Sequence, residues 1–150
     1  MRIAIGSDHA AFAMKAALCV YLRERGAEVV DVGTLDEGAS VDYPDFAAEV
    51  AGRVSRGEVE QGVLVCGTGI GMSIVANKFP GVRAALVHDL HTARLAREHN
   101  DANVLCLGGR LLADALARDM VAEWLDRSFE PRHQRRLDKI AAIERDLRGA

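Results

Sequence analysis

Five short runs of aliphatic and β-branched residues, each followed by a longer stretch of helical periodicity, constrain this chain more than any other feature. The runs are Arg2–Gly6, Glu28–Gly33, Gly62–Gly67, Arg83–Val87 and Asn103–Gly109. Strands exposed on one face alternate apolar with polar residues, and these barely do. Near-continuous apolar strands separated by helices imply a parallel sheet covered on both faces. Between the runs, a helix beginning near Asp8 or His9 carries Met14, Leu18 and Leu22 on one face and stops at Gly26. Tyr43–Val54 follows with Pro44 near its first turn, then Thr92–Asn100. Asp114 is suited to cap a helix bearing Leu116, Met120 and Trp124, and an arginine-rich helix runs on beyond Pro131.

A chain of 150 residues that is 49% apolar buries one sizeable core and no more. One domain over residues 1–150 is therefore expected: α/β, a doubly wound (Rossmann-like) five-stranded parallel sheet with an extra C-terminal helix. Ligands of such sheets sit beyond the carboxyl ends of the strands, where the strand order reverses. With the order 2-1-3-4-5, the segments Ser7–Ala10 and Cys66–Gly71 face each other across one crevice. The rival order 3-2-1-4-5 brings His88 and Asp89 forward instead and leaves the glycine loop unexplained.

That loop, Cys66-Gly-Thr-Gly-Ile-Gly, fails several phosphate-loop patterns on spacing. A phosphatase cradle needs Arg where Met72 stands, and a Walker loop needs Gly-Lys-Ser/Thr where Thr68 follows Gly67. The third glycine of a dinucleotide fingerprint is missing, and a phospho-receiver needs Asp at the position of Cys66. What remains is backbone: Gly67, Gly69 and Gly71 permit successive N–H groups to point into one concavity, with a helix starting near Ile70 to Ser73. A free thiol titrates near about 8.5, and amide donors at its rim favour its anion. A cysteine beside an oxyanion nest suits proton abstraction next to a carbonyl, and equally acyl transfer. A cysteine at a strand end is otherwise a small apolar residue, the reading that fits Cys19 and Cys106.

Lys and Arg number 19 against 22 Asp and Glu, which excludes the global basic field of a nucleic-acid binder or an anionic-membrane binder. Three scattered cysteines form neither a disulfide framework nor a zinc site, as expected of a reducing cytoplasm. No leader pattern and no apolar stretch long enough for a membrane span is visible, so a soluble cytoplasmic protein is expected.

Five segments, Gly6–Phe12, Asp42–Ala47, Cys66–Lys78, Arg97–Arg110 and Arg132–Ile140, resemble the type B ribose-5-phosphate isomerases and their relatives, the galactose-6-phosphate and allose-6-phosphate isomerases. The resemblance spans nearly the whole chain in the family's order. It implies a homodimer or homotetramer with active sites at the subunit interface and no cofactor. It further implies aldose–ketose interconversion of ribose 5-phosphate and ribulose 5-phosphate through a cis-enediol, with no metal required. A tetrose 4-phosphate, allose 6-phosphate or galactose 6-phosphate is the alternative substrate, and a non-catalytic phosphosugar-binding subunit the alternative of another class.

In that resemblance Cys66 is the base that moves the proton between C1 and C2, and His99 the acid that opens the furanose ring, assisted by Asp8 and Thr68. Some members carry Ser in place of the Cys and a Glu further along the loop; here position 70 is Ile. Asn100, with the amides of Gly67, Thr68, Gly69, Ile70 and Gly71, binds the enediolate, and Tyr43 walls the sugar. His9, Arg110, Arg132 and Arg136 hold the phosphate, the terminal helix reaching over the neighbouring subunit's site. Arg132 and Arg136 are four residues apart, which on a continuous helix puts both guanidiniums on one face.

Overall fold

The computed structural model describes residues 1–149. Five parallel strands, β1 (Arg2–Ser7), β2 (Glu28–Asp31), β3 (Gln61–Cys66), β4 (Ala84–Leu86) and β5 (Val104–Gly108), form one sheet in the order β2-β1-β3-β5-β4. The doubly wound α/β architecture is as expected, and the last two strands are exchanged relative to the order 2-1-3-4-5. The reason lies in what each strand has to bury. All residues of β5 are buried and large aliphatic side chains alternate to both faces, whereas β4 offers Ala84 and Ala85 and stays partly exposed. The strand with more apolar surface to cover takes the inner position, and the short one becomes an edge.

Alternate residues of the inner strands feed two cores. Ile3, Ile5, Val63, Val65, Leu105 and Leu107 meet α1 (Phe12–Glu24), α4 (Leu90–Glu98) and α5 (Asp114–Asp126) on one face. Leu64, Cys66, Val104 and Cys106 meet α2 (Tyr43–Ser55) and α3 (Ile70–Ala76) on the other. Trp124 is fully buried, donates from Nε1 to Ala102 O at 2.9 Å, and so locks the end of α5 to the loop before β5. α6 (Gln134–Gly149) buries none of its residues and leaves Ile140, Ile143 and Leu147 exposed.

Helix ends depart from the expected pattern in three places. A 3-10 turn, His9–Ala11, precedes α1, with the Asp8 carboxylate accepting from Ala10 N at 3.0 Å. Asp114 is not the cap of α5: Ala113 holds that position, and Asp114 lies in the first turn, where its charge still complements the helix dipole. Pro131 opens a second 3-10 turn, Pro131–His133, so Arg132 precedes α6 and the two arginines do not lie on one continuous α-helix. Among the described residues, no helix is long and apolar enough to cross a membrane.

Candidate active site

The exchange of β4 and β5 leaves the reversal of strand order between β1 and β3, so the expected crevice survives. Asp8 N donates to Val65 O at 3.3 Å, tying the loop after β1 to the end of β3. Asp8 is 9% exposed, and the ring nitrogen Nδ1 of its neighbour His9 accepts from Val41 N at 3.2 Å.

Cys66 ends β3 with its side chain toward α2 and α3, nearly buried. The chain then turns through Gly67, Thr68 and Gly69, the last at φ +76° in the left-handed region, and its N–H donates to the Cys66 sulfur at 3.2 Å. Burial pushes the Cys19 thiol up to about 11 and raises that of Cys106 as well.

The expected nest is divided. Ile70 N donates to Thr68 Oγ1 at 3.3 Å, so this amide, counted on for the oxyanion, is engaged within the loop, and the Ile70 side chain projects into solvent. Among the described residues, no protein acceptor engages the N–H groups of Gly67, Thr68 or Gly71. Two side chains close over this cup. A Cβ on Gly71 would lie 2.4 Å from Tyr43 Cζ, and one on Gly67 would lie 3.3 Å from the Arg110 guanidinium. Arg110 is set there by its backbone, which donates to Gly67 O at 3.0 Å.

A second group of expected residues assembles elsewhere. His99 ends α4, its ring 4.2 Å from that of His133, and Arg132 Nη2 lies 3.5 Å from His99 Nε2. Glu130 accepts from Arg132 Nε at 2.7 Å, and Arg136 Nη1 stands 3.0 Å from His133 Nδ1. The hydrogen bond from Arg132 holds the Glu130 carboxyl below its ordinary range. Glu130 and His133 escaped the sequence reading, their one signal being the i, i+3 spacing inside an arginine-rich segment. Among the described residues, His99, Glu130 and His133 are the one set with metal-ligand atoms within 4.8 Å of one another. Two guanidiniums already engage their imidazole nitrogens, which favours an anion there over a cation.

The two groups occupy opposite ends of the sheet. Arg83 Nε donates to Asn100 O at 3.0 Å, and Arg83 and Asn103 precede β4 and β5, so His99 and Asn100 lie at the amino ends of the strands. Cys66 is level with Gly108, the carboxyl end of β5. The span of β5 from Val104 to Gly108 alone separates the levels by about 13 Å at the usual rise per residue.

A family model described as Ribose/Galactose Isomerase matches residues 3–140. The chain belongs to the ribose/galactose isomerase family. Ribose-5-phosphate isomerase B of Escherichia coli is 46% identical over 144 residues, covering 95% of this chain and 96% of that protein. D-erythrulose-4-phosphate isomerase of Pectobacterium atrosepticum is 43% identical over 130 residues, covering 87% and 86%. The solved structure of ribose-5-phosphate isomerase B from Clostridium thermocellum superposes with a TM-score of 0.95 at 48% identity, covering 98% of this chain and 99% of that one. Like these members of the ribose/galactose isomerase family, the chain is an enzyme, a sugar-phosphate isomerase.

Proposed function

We propose that this isomerase interconverts ribose 5-phosphate and ribulose 5-phosphate through a cis-enediol, at a site that takes one residue group from each of two copies of the chain. The observation that carries the reading is the Cys66 sulfur under the Gly69 amide, beside unengaged N–H groups and the Arg110 guanidinium. Cys66 alone does not open a sugar ring; the group around His99 has the donors for that step and cannot reach Cys66 within one chain.

In the mechanism, His99 protonates the ring oxygen O4 as the C1–O4 bond breaks, and Asp8, assisted by Thr68, takes the O1 hydroxyl proton so that the C1 aldehyde forms. Cys66 takes the C2 proton; the electron pair of the C–H bond becomes the C1–C2 double bond, and charge develops on O1. Free amides of the Gly67–Gly71 turn and Asn100 hold that charge. A proton passes from the O2 hydroxyl to O1, the charge moves to O2, and Cys66 returns its proton to C1 as C2 becomes the carbonyl. His9, Arg110, Arg132 and Arg136 hold the phosphate, two groups from each end of the sheet, with His9 donating from Nε2 since its Nδ1 accepts from Val41 N.

The second copy has a place to sit. A cavity of about 850 Å³ lies along the free edge of β4, walled by Val82, Leu86 and Leu95 and by Ile140 and Ile143 of α6, with Asn100 in its lining. A Cys66 loop approaching Asn100 carries α3 in behind it, and α3 exposes Ile70 and Ile74 on one face. We place those two side chains of the second copy in the groove.

Subunit mixing tests the composite site. Cys66→Ala and His99→Ala homo-oligomers are each inactive. Random exchange makes half the dimers mixed, and each mixed dimer has one intact site, so about a quarter of wild-type sites return under two-fold symmetry. No recovery on mixing, with exchange shown by mass, refutes the shared site; solvent-deuterium exchange at C2 surviving in Cys66→Ala refutes the base.

A further inference from the structure

Of the five histidines in the chain, only His133 is buried, at 7% exposure, and none of the steps above uses it. Its Nδ1 lies 3.0 Å from Arg136 Nη1. A guanidinium has nothing to accept with, so the imidazole is the acceptor and Nδ1 carries no proton. The ring proton of the neutral form is then on Nε2, which faces Glu130 Oε2 at 3.6 Å and has no hydrogen-bond partner. Glu130 is itself anchored, donating from its backbone to Glu98 O at 2.8 Å at the end of α4. The His133 ring packs on that of His99 at 4.2 Å, tilted by 36°.

A phenylalanine or leucine would fill this space without stranding a buried polar nitrogen, so packing alone does not account for an imidazole here. We propose that His133 is a positioning residue: its Nδ1 aims Arg136 at the substrate phosphate and its face braces His99, while Glu130 holds Arg132. The inference rests on the reading of Arg132 and Arg136 as phosphate ligands. An arginine fixed before the anion arrives loses less side-chain freedom on binding it. The surroundings keep the acceptor form available. Burial first, then the charges of Arg132, His99 and Arg136, hold His133 below its ordinary 6.5, and Glu130 pulls the other way without prevailing. These are the charged groups that meet the ring from the Pro131–His133 turn, from α4 and from α6.

The test compares His133→Phe, which keeps a ring but no acceptor, with His133→Asn, whose side-chain carbonyl stands where Nδ1 does. Competitive inhibition by inorganic phosphate is the readout, with Arg136→Ala alongside. His133→Phe is expected to weaken phosphate binding and raise KM about tenfold, the scale of one charge-assisted contact, while kcat stays within about threefold. His133→Asn recovers most of the loss. Phosphate inhibition within twofold of wild type in His133→Phe, with Arg136→Ala impaired, overturns the positioning role alone. A loss that His133→Asn does not recover also overturns it, since packing would then explain the effect. Unchanged phosphate inhibition in Arg136→Ala overturns the underlying phosphate reading along with it. Nitrogen-detected NMR of the wild-type protein decides independently of any variant's folding: Nδ1 unprotonated at neutral pH is required, and a proton on Nδ1 sinks the proposal.

Discussion

Replacing Gly69 with alanine strikes the turn on which the proposed chemistry depends. The residue sits at φ +76°, and a side chain there costs about 1–2 kcal/mol for the left-handed conformation alone. Space is the larger obstacle. The added Cβ would lie 2.7 Å from Leu86 Cδ1 and 2.9 Å from both C and O of Leu107. Leu86 is on the edge strand and can yield, whereas Leu107 belongs to β5, hydrogen-bonded on both sides, and its backbone cannot. Overpacking of that kind adds about 1–3 kcal/mol. The sum, about 2–5 kcal/mol, is a substantial part of a domain stability of about 5–15 kcal/mol. It corresponds to a fall in Tm of about 4–20 °C. Relief by moving the turn lifts the Gly69 amide from the Cys66 sulfur, now 3.2 Å away, so kcat falls about a hundredfold. Thermal melting and initial rates on the purified variant check both numbers. A Tm within about 2 °C of wild type with kcat within twofold would refute the close approach to β5.

Stability also responds to pH through His133. Its folded value is held below the ordinary 6.5, so unfolding takes up a proton as the pH drops through that value. The folded chain is therefore expected to lose stability from about pH 6.5 downward, before the carboxylates titrate, and His133→Phe flattens that decline in urea melts between pH 7.5 and about 5. Both carboxylate oxygens of Asp31 lie 2.6 Å from a Lys15 Nζ that is almost fully buried. Lys15→Met is expected to cost about 2–4 kcal/mol in the same melts, because it removes the charge partner of a half-buried Asp31 that keeps only the Gly33 amide and the Cys19 thiol as donors among the described residues. Pairing it with Asp31→Leu recovers part of the loss; a Lys15→Met change under 1 kcal/mol would count against the pair.

The strands were legible because each is defined by its own aliphatic residues, and the crevice because it needs only the first three. The exchange of β4 and β5 was not, since which strand takes the inner position is a competition in apolar surface that neither run expresses alone. Gly69 announced the turn, yet Thr68 capturing the Ile70 amide depends on a rotamer, and that shortened the nest. Pro131 breaks the continuous helix assumed for Arg132 and Arg136, since a 3-10 turn departs from the periodicity on which an i, i+4 argument stands, yet both guanidiniums still reach the His99–His133 pair. His133 lay inside a quoted motif and went unread, because an imidazole between arginines on a polar segment looks solvated until burial is seen.

The separation of the two residue groups also bears on substrate. A pentose 5-phosphate has a free O4 and closes to a furanose, so its isomerisation needs an acid for the ring oxygen before any C2 proton can leave. In a tetrose 4-phosphate O4 is esterified, no such ring forms, and the open aldehyde is presented directly to the base. In the proposed mechanism the Cys66 half would meet the same demand from both sugars, while the His99 half would meet a ring-opening demand only from the pentose. Relatives named for pentose and for tetrose phosphates both match this chain over most of its length. On the proposed two-copy mechanism, the Cys66 turn would make the same proton transfer on either sugar, and discrimination would fall to the group proposed to come from the second copy, with the depth of the pocket between them. Exchanging residues around His99 is therefore expected to shift the ratio of kcat/KM for pentose and tetrose phosphates, while exchanging residues in the Cys66 turn lowers both together; the opposite result would refute that division.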